Sequence, residues 1–126
     1  QLERWLHATN GQPVVVVLHH PPLQLGISSD TMALQDPSAF VDLLVAHGDV
    51  RHVLSGHIHM TTTAFHRGIP FTTIAGNCTT TAEDFGRREN KVRRAGPAQM
   101  AILMSDADQT TVHFDNYVDA HPHFST

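Results

Sequence analysis

Four histidines stand shortly after two apolar runs of the sequence, and their side chains could bind a metal ion. His19 and His20 directly follow the first run, and His57 and His59 lie just beyond the second. The chain has 11 histidines in all, scattered along its length, so an expression tag does not explain them. Neutral imidazole is a good ligand for zinc, iron, manganese or cobalt. A lone histidine is more often a solvated loop residue, but two converging pairs favour a metal site.

A strand–helix–strand unit is predicted to position these histidines. Residues 14–18 are an apolar run without alternation, which is typical of a strand covered on both faces, and residues 50–54 are a second short, largely apolar strand. Between them, Asp36 and Pro37 predict the cap and the first residue of a helix that ends at Gly48. This order predicts a right-handed crossover between two parallel strands. Both strands then end at the same sheet edge, where open α/β folds bind ligands.

The sequence beyond Thr61 predicts antiparallel β structure. Two pairs of strand-like runs are separated by short breaks, at residues 67–68 and at residues 106–108. Between the two pairs, residues 83–96 hold five of the eight Lys and Arg residues, and we expect a mobile loop there. A solvated surface is the leading interpretation of this charge. Attraction of a phosphate substrate and contact with a second subunit are the alternatives.

Composition limits the classes of function. A chain of 126 residues with 40% hydrophobic residues suits one compact domain. The formal charge of −4 argues against a generic binder of nucleic acid or of membrane surfaces, because both rely on basic surfaces. The single cysteine, Cys78, excludes an internal disulfide and indicates a reducing compartment, by default the cytoplasm. No apolar run approaches the roughly 20 residues that would span a bilayer.

The histidine motifs resemble those of a known superfamily. HHPP at residues 19–22 and GHIH at residues 56–59 are similar to the last two metal motifs of calcineurin-like metallophosphoesterases. Their contexts, LHHPPLQLG and DVRHVLSGHIHMTTTAFHRGIPF, most resemble class III cyclic nucleotide phosphodiesterases and related glycerophosphodiesterases. The resemblance extends from the start of the chain to about Asn77.

The resemblance implies an α/β fold, the carboxyl-terminal half of a metallophosphoesterase β-sandwich flanked by helices, with a β-rich second half. Residues 1–126 would form one partial domain, in which residues 1–60 carry both motifs and residues 61–126 are β-rich. The complete enzyme would hold two metals from among Mn, Fe, Zn and Co, and a hydroxide bridging them would attack phosphorus.

The resemblance also implies a role for each histidine. His19 and His57 would bind one metal and His59 the other, while His20 would be a neighbour of the site and not a ligand. Asn77 and Cys78 are candidate substrate contacts, with a turn residue and a buried structural thiol as the alternative interpretations.

The superfamily also has amino-terminal motifs, Asp-x-His, Gly-Asp and Gly-Asn-His-Asp, and this sequence has none of them in position. Residues 119–121 copy the first motif but lie near the carboxyl end. We therefore expect the carboxyl-terminal portion of a phosphodiesterase, weakly active or inactive alone, whose partner is a small phosphodiester substrate. A mononuclear metal-binding module and a structural or oligomerisation piece are the alternatives, and a homo-oligomer is left open.

Overall fold

A four-stranded mixed sheet carries the histidine motifs in the computed structural model, which describes residues 1–77, 79–82, 92–94, 96 and 98–118. The strand order is β1-β2-β4-β3. The strands are β1 (Val14–Val17), β2 (Val50–Ser55), β3 (Thr62–His66) and β4 (Ile69–Thr73).

The two predicted parallel strands and the helix between them are confirmed, but β1 is not covered on both faces as expected. Val14 and Val16 pack against the core, whereas Val15 and Val17, on the other face, are 37% and 73% exposed. β1 and β2 pair in parallel, and the helix α2 (Pro37–His47) connects them. The Asp36 carboxylate accepts the Ala39 N–H at 3.3 Å, so it caps the helix as predicted. Gly48 ends the helix with a φ of 93°, a backbone conformation that favours glycine. The strand limits differ from the predicted ones by a single residue, which places both histidine motifs just beyond the strand ends.

The first predicted hairpin is confirmed, but its place in the sheet was not foreseen. β3 and β4 are antiparallel, with the turn at Arg67 and Gly68. β4 also pairs in parallel with β2, through Leu54 and Thr72 among other residues. The hairpin is therefore part of the same sheet as the strands that carry the histidines. The change of pattern near Thr61, from strand–helix–strand to antiparallel strands, does not mark the start of a different sheet.

Two helices cover this sheet and complete a small apolar core. The spacing of Leu2, Trp5 and Leu6 predicts a helix at the start of the chain, and α1 spans Leu2–Ala8. Leu6 is buried and Leu2 packs against the core, whereas Trp5 is 60% exposed. The buried apolar cluster consists of Leu6, Val41, Leu44, Val50, Val53, Ile69 and Phe71. No helix among the described residues is long and apolar enough to cross a membrane.

Two further strand pairs follow the sheet. β7 (Ala98–Ser105) and β8 (Thr110–Val118) are antiparallel, as predicted. The Asp106 carboxylate closes their turn, because it accepts the N–H groups of Asp108 and Gln109 at 2.8 and 2.9 Å. This hairpin contacts the main sheet region, since the Gln99 N–H donates to the Gly76 carbonyl at 2.8 Å.

The loop expected at residues 83–96 is corrected in part. β5 (Thr80–Ala82) pairs antiparallel with β6 (Val92–Arg94), so three residues of the expected loop form a strand. The many charged residues of this segment predicted a loop. The strand was missed because its pairing depends on a partner ten residues or more away. Residues 83–91 and 95 lie outside the described part of the chain.

Candidate metal centre

The two histidine motifs meet because the parallel pairing of β1 and β2 continues past the strand ends. The Leu18 N–H donates to the Leu54 carbonyl at 3.0 Å. The Gly56 N–H then donates to the His19 carbonyl at 3.0 Å. Backbone hydrogen bonds therefore tie the exit of one strand to the exit of the other. This connection places His19 beside His57, although they are 38 residues apart in the sequence.

Three imidazole rings form a compact cluster at this edge. His57 Nδ1 lies 2.9 Å from His19 Nε2, and the two ring centroids are 4.7 Å apart. The His20 ring is 4.3 Å from the His57 ring and 4.9 Å from the His19 ring, centroid to centroid. One ligand atom from each ring lies within 4.8 Å of the other two. A single cation could therefore contact all three rings after small side-chain rotations.

The GHIH turn has an unusual backbone that is fixed by a buried residue. His57 has a φ of 68° and His59 a φ of 55°, a left-handed conformation that is uncommon for residues other than glycine. Ile58, between them, is only 2% exposed, and its N–H donates to the Gly56 carbonyl at 2.8 Å. Strained residues of this kind persist where the surroundings hold them, and they concentrate at functional sites.

His59 lies outside the cluster and has its own positioning contact. Its Nδ1 is 2.9 Å from the Thr79 carbonyl oxygen and 3.2 Å from Thr79 Oγ1. A carbonyl oxygen can only accept, so the proton of this hydrogen bond is on Nδ1, and in the neutral tautomer the lone pair is then on Nε2. The same arrangement, with one nitrogen bonded to a carbonyl and the other used for ligation, orients histidines in metal sites.

The electrostatic environment favours the neutral form of His57. Burial lowers the pKa of His57 below its ordinary value, and the neighbouring His20, His19 and His59 lower it further. Only neutral imidazole has a lone pair for a metal. Near neutral pH, the His57 ring is therefore in the neutral form that can bind a metal.

A groove opens beside the cluster. Its volume is about 490 Å³, and it is lined by His20, His57 and residues 31–36. The Leu34 N–H donates to the Pro21 carbonyl at 2.9 Å, which ties this wall to the HHPP motif. The wall begins in a short 3-10 helix (Ser28–Met32) that follows the motif. Sequence reasoning missed this wall, although the apolar Met32 and Leu34 close to a histidine motif were a usable signal.

The structure places the predicted site residues in three different settings. It brings His19, His20 and His57 together, and it puts His59 on the same turn as His57 but outside their cluster. Asn77 lies in an exposed bend. Cys78 lies outside the described residues. The individual roles of these residues stay predictions.

The donor set of the cluster fits a transition metal. Three imidazole nitrogens are a common ligand set for catalytic zinc, which keeps a further position for water or substrate. The rings of His19 and His20 are exposed, so a ligand can reach them from solvent. The arrangement can therefore hold a cation while leaving one side accessible.

Comparison with known proteins identifies relatives of this chain, although no protein-family profile matches it. The chain is 38% identical over 89 residues to a probable cyclic nucleotide phosphodiesterase of a Synechococcus strain, an alignment covering 68% of the chain and 33% of that protein. It is 32% identical over 114 residues to a probable cyclic nucleotide phosphodiesterase of Rhodococcus erythropolis, covering 86% of the chain and 37% of that protein. It is also 32% identical over 100 residues to a cAMP/cGMP dual specificity phosphodiesterase of Mycobacterium tuberculosis, an alignment covering 79% of the chain and 30% of that protein. The chain thus spans about a third of the length of the curated relatives it matches.

Proposed function

The chain shares partial homology with class III cyclic nucleotide phosphodiesterases, which are calcineurin-like metallophosphoesterases, and we propose that it is the carboxyl-terminal portion of such a metal-dependent enzyme. Its substrates would be small phosphate diesters such as 3',5'-cyclic nucleotides. The observation that carries this proposal is the contact between His19 and His57 across the two strand ends, at 2.9 Å.

The proposal divides three histidines between two metals. His19 and His57 hold one metal of the complete enzyme, and His59 holds the other. The metals would be drawn from Mn, Fe, Zn and Co. When bound, such metals polarise a phosphoryl oxygen and lower the pKa of a bound water.

The remaining residues act on the substrate. His20 is next to His57 and faces the groove, so its ring N–H can donate to a phosphate oxygen. Asn77 and Cys78 are proposed as further substrate contacts. Burial of Ile58 keeps the turn that carries His57 and His59 in place during turnover.

The fold supports a particular place for this chain in the complete enzyme. β1 is an edge strand of the sheet, and Val17 on it is 73% exposed. We propose that residues 1–126 form one partial domain and that the sheet is one layer of a metallophosphoesterase β-sandwich. Ligands from the other part of the domain would complete the two-metal site.

A mononuclear metal-binding module is the second candidate, and the three-histidine cluster favours it. His19, His20 and His57 could together hold one ion without any residue from another segment. In this case, metal would bind without hydrolysis of phosphodiesters. His20 separates the two candidates, because only the second requires it as a ligand.

The proposed function is tested by measuring hydrolysis of cyclic AMP with a longer form of the protein. This form includes an amino-terminal part equivalent to the one that the relatives have and this chain does not span. We expect His19→Ala and His57→Ala to lower kcat/KM at least about 100-fold, because each removes a ligand. His66→Ala is the matched control, since His66 is exposed at the far end of β3. Full activity of both ligand variants would refute the assignment.

A further inference from the structure

The groove beside the histidine cluster has a fixed wall. The Asp30 carboxylate accepts three successive backbone N–H groups, from Leu25 at 2.7 Å, Gly26 at 2.9 Å and Ile27 at 3.2 Å. Ser29, next to it, is only 2% exposed. Charge-assisted hydrogen bonds of this kind are stronger than neutral ones. The segment that leads from the HHPP motif to α2 is therefore an ordered structure and not a loose loop.

The groove is lined by side chains of two chemical kinds. His20 and His57 contribute imidazoles. Among residues 31–36, Met32 and Leu34 are half-buried apolar side chains, and Gln35 is an exposed amide. An occupant that fits must therefore have an anionic or polar end and a larger, flatter organic part with some hydrogen-bonding groups.

We propose that this groove binds the nucleoside part of a phosphodiester substrate, with its phosphate toward His20 and His57. The proposal rests on the proposed function and assigns its substrate specificity to residues 31–36. A volume of about 490 Å³ lies within the roughly 300–1,000 Å³ typical of small-molecule sites. A glycerol group has little apolar surface to place against Met32 and Leu34, whereas a purine has a broad flat face.

Charge argues against a nucleic-acid strand as the occupant. No Lys or Arg is among the residues that line the groove, and the acidic Asp36 is one of them. A polynucleotide carries a phosphate at every step and requires basic contacts along its backbone. A single nucleotide presents its charge only at the end that faces the histidines.

Binding measurements on the chain with Mn²⁺ test the proposal. Gln35→Trp places a large ring at the groove without disturbing the core, because Gln35 is exposed. We expect it to weaken binding of cyclic AMP at least about 10-fold, measured by calorimetry, and to leave binding of inorganic phosphate unchanged. Gln24→Trp is the matched control, since Gln24 is exposed in the same segment but outside the groove.

A second variant tests the groove independently, in case the Trp side chain at position 35 points away from it. Ala33→Phe fills the groove from its wall, and Ala39→Phe, on an exposed face of α2, is its control. If neither Gln35→Trp nor Ala33→Phe weakens cyclic AMP binding relative to its control, the nucleoside does not bind here. Equal weakening of cyclic AMP and phosphate binding by both variants would also overturn the proposal.

Two probes separate this proposal from the proposed function. Adenosine, which has no phosphate, tests the groove alone, and inorganic phosphate tests the metal site alone. Adenosine binding that is lost in Gln35→Trp, with no phosphate binding, would support the groove and count against the phosphodiesterase site. Phosphate binding without any adenosine or cyclic AMP binding would support the metal site and overturn the groove.

Discussion

His19 and His57 are the side chains on which metal binding by this chain is expected to depend most. We expect His19→Ala and His57→Ala to raise the dissociation constant for Zn²⁺ at least about 10-fold, because each removes one nitrogen of the cluster. Metal titration of the purified chain measures this. His66→Ala and His113→Ala are controls on exposed strand residues outside the motifs. Equal metal affinity in all of these variants would remove the basis for a metal site.

His20 and His59 distinguish a mononuclear site from the arrangement that the relatives imply. In the proposed two-metal arrangement, His20→Ala leaves the affinity at His19 and His57 nearly unchanged, whereas His59→Ala removes the second position. A loss in His20→Ala as large as that in His19→Ala would favour the three-histidine module instead. The two variants can be compared directly, since the His20 ring is as close to the His57 ring as the His19 ring is.

The turn between the two histidines of GHIH is expected to depend on Ile58. Ile58→Ala removes a side chain that is 2% exposed, and we expect it to lower the free energy of unfolding by about 2–5 kcal/mol. It should also weaken metal binding, because the left-handed positions of His57 and His59 lose their anchor. Chemical denaturation and metal titration measure the two effects.

Ile102→Ala is the control for this prediction. Ile102 lies on β7 and is 46% exposed, so its truncation should change stability far less. If Ile58→Ala lowered stability no more than Ile102→Ala, burial of the turn would not be what holds it.

The contact between β2 and β4 is expected to make stability depend on pH. His52, on β2, is buried, and its Nε2 lies 2.9 Å from Thr72 Oγ1 on β4. Burial lowers the pKa of His52 below its ordinary value of 6.5. At pH values between the lowered pKa and about 6.5, the ring is neutral in the folded protein, whereas in the unfolded chain it binds a proton. Stability is therefore full above about pH 6.5 and falls as the pH drops from there toward the lowered pKa.

His52→Gln isolates this contribution. Denaturation at a series of pH values should show a smaller loss of stability between about pH 6.5 and pH 5 in this variant than in the unaltered chain. His113→Gln, on exposed strand β8, should retain the full pH dependence. An unchanged slope in His52→Gln would show that its protonation does not contribute.

The molecule as a whole is expected to be a poor catalyst by itself. It spans about a third of the length of its relatives, and the resemblance assigns further ligands to the part that it does not span. We expect the chain alone to hydrolyse bis(p-nitrophenyl) phosphate at least about 100-fold more slowly than a longer form that includes that part, because a two-metal site needs both ligand sets. Normal enzymatic turnover by the 126-residue chain would refute its assignment as a portion of the enzyme.

Much of the fold and part of the site could be predicted because their signals are local. The apolar runs around Val16 and Val53 and the cap at Asp36 were enough to predict two parallel strands and the helix between them. Parallel strands end at the same edge, so the meeting of His19 and His57 followed from chain direction alone. The hairpin turns at Gly68 and Asp106 were also readable from residue types.

The remaining features depend on contacts between distant residues, which local patterns do not encode. The pairing of β4 with β2, the contact of His59 with Thr79 and the groove wall tied to Pro21 each join segments that are far apart in the sequence. The sequence by itself determined which residues could bind a metal and at which edge they lie. Only the tertiary structure decided which rings touch, because ring positions depend on side-chain packing and on the left-handed turn that buried Ile58 holds in place.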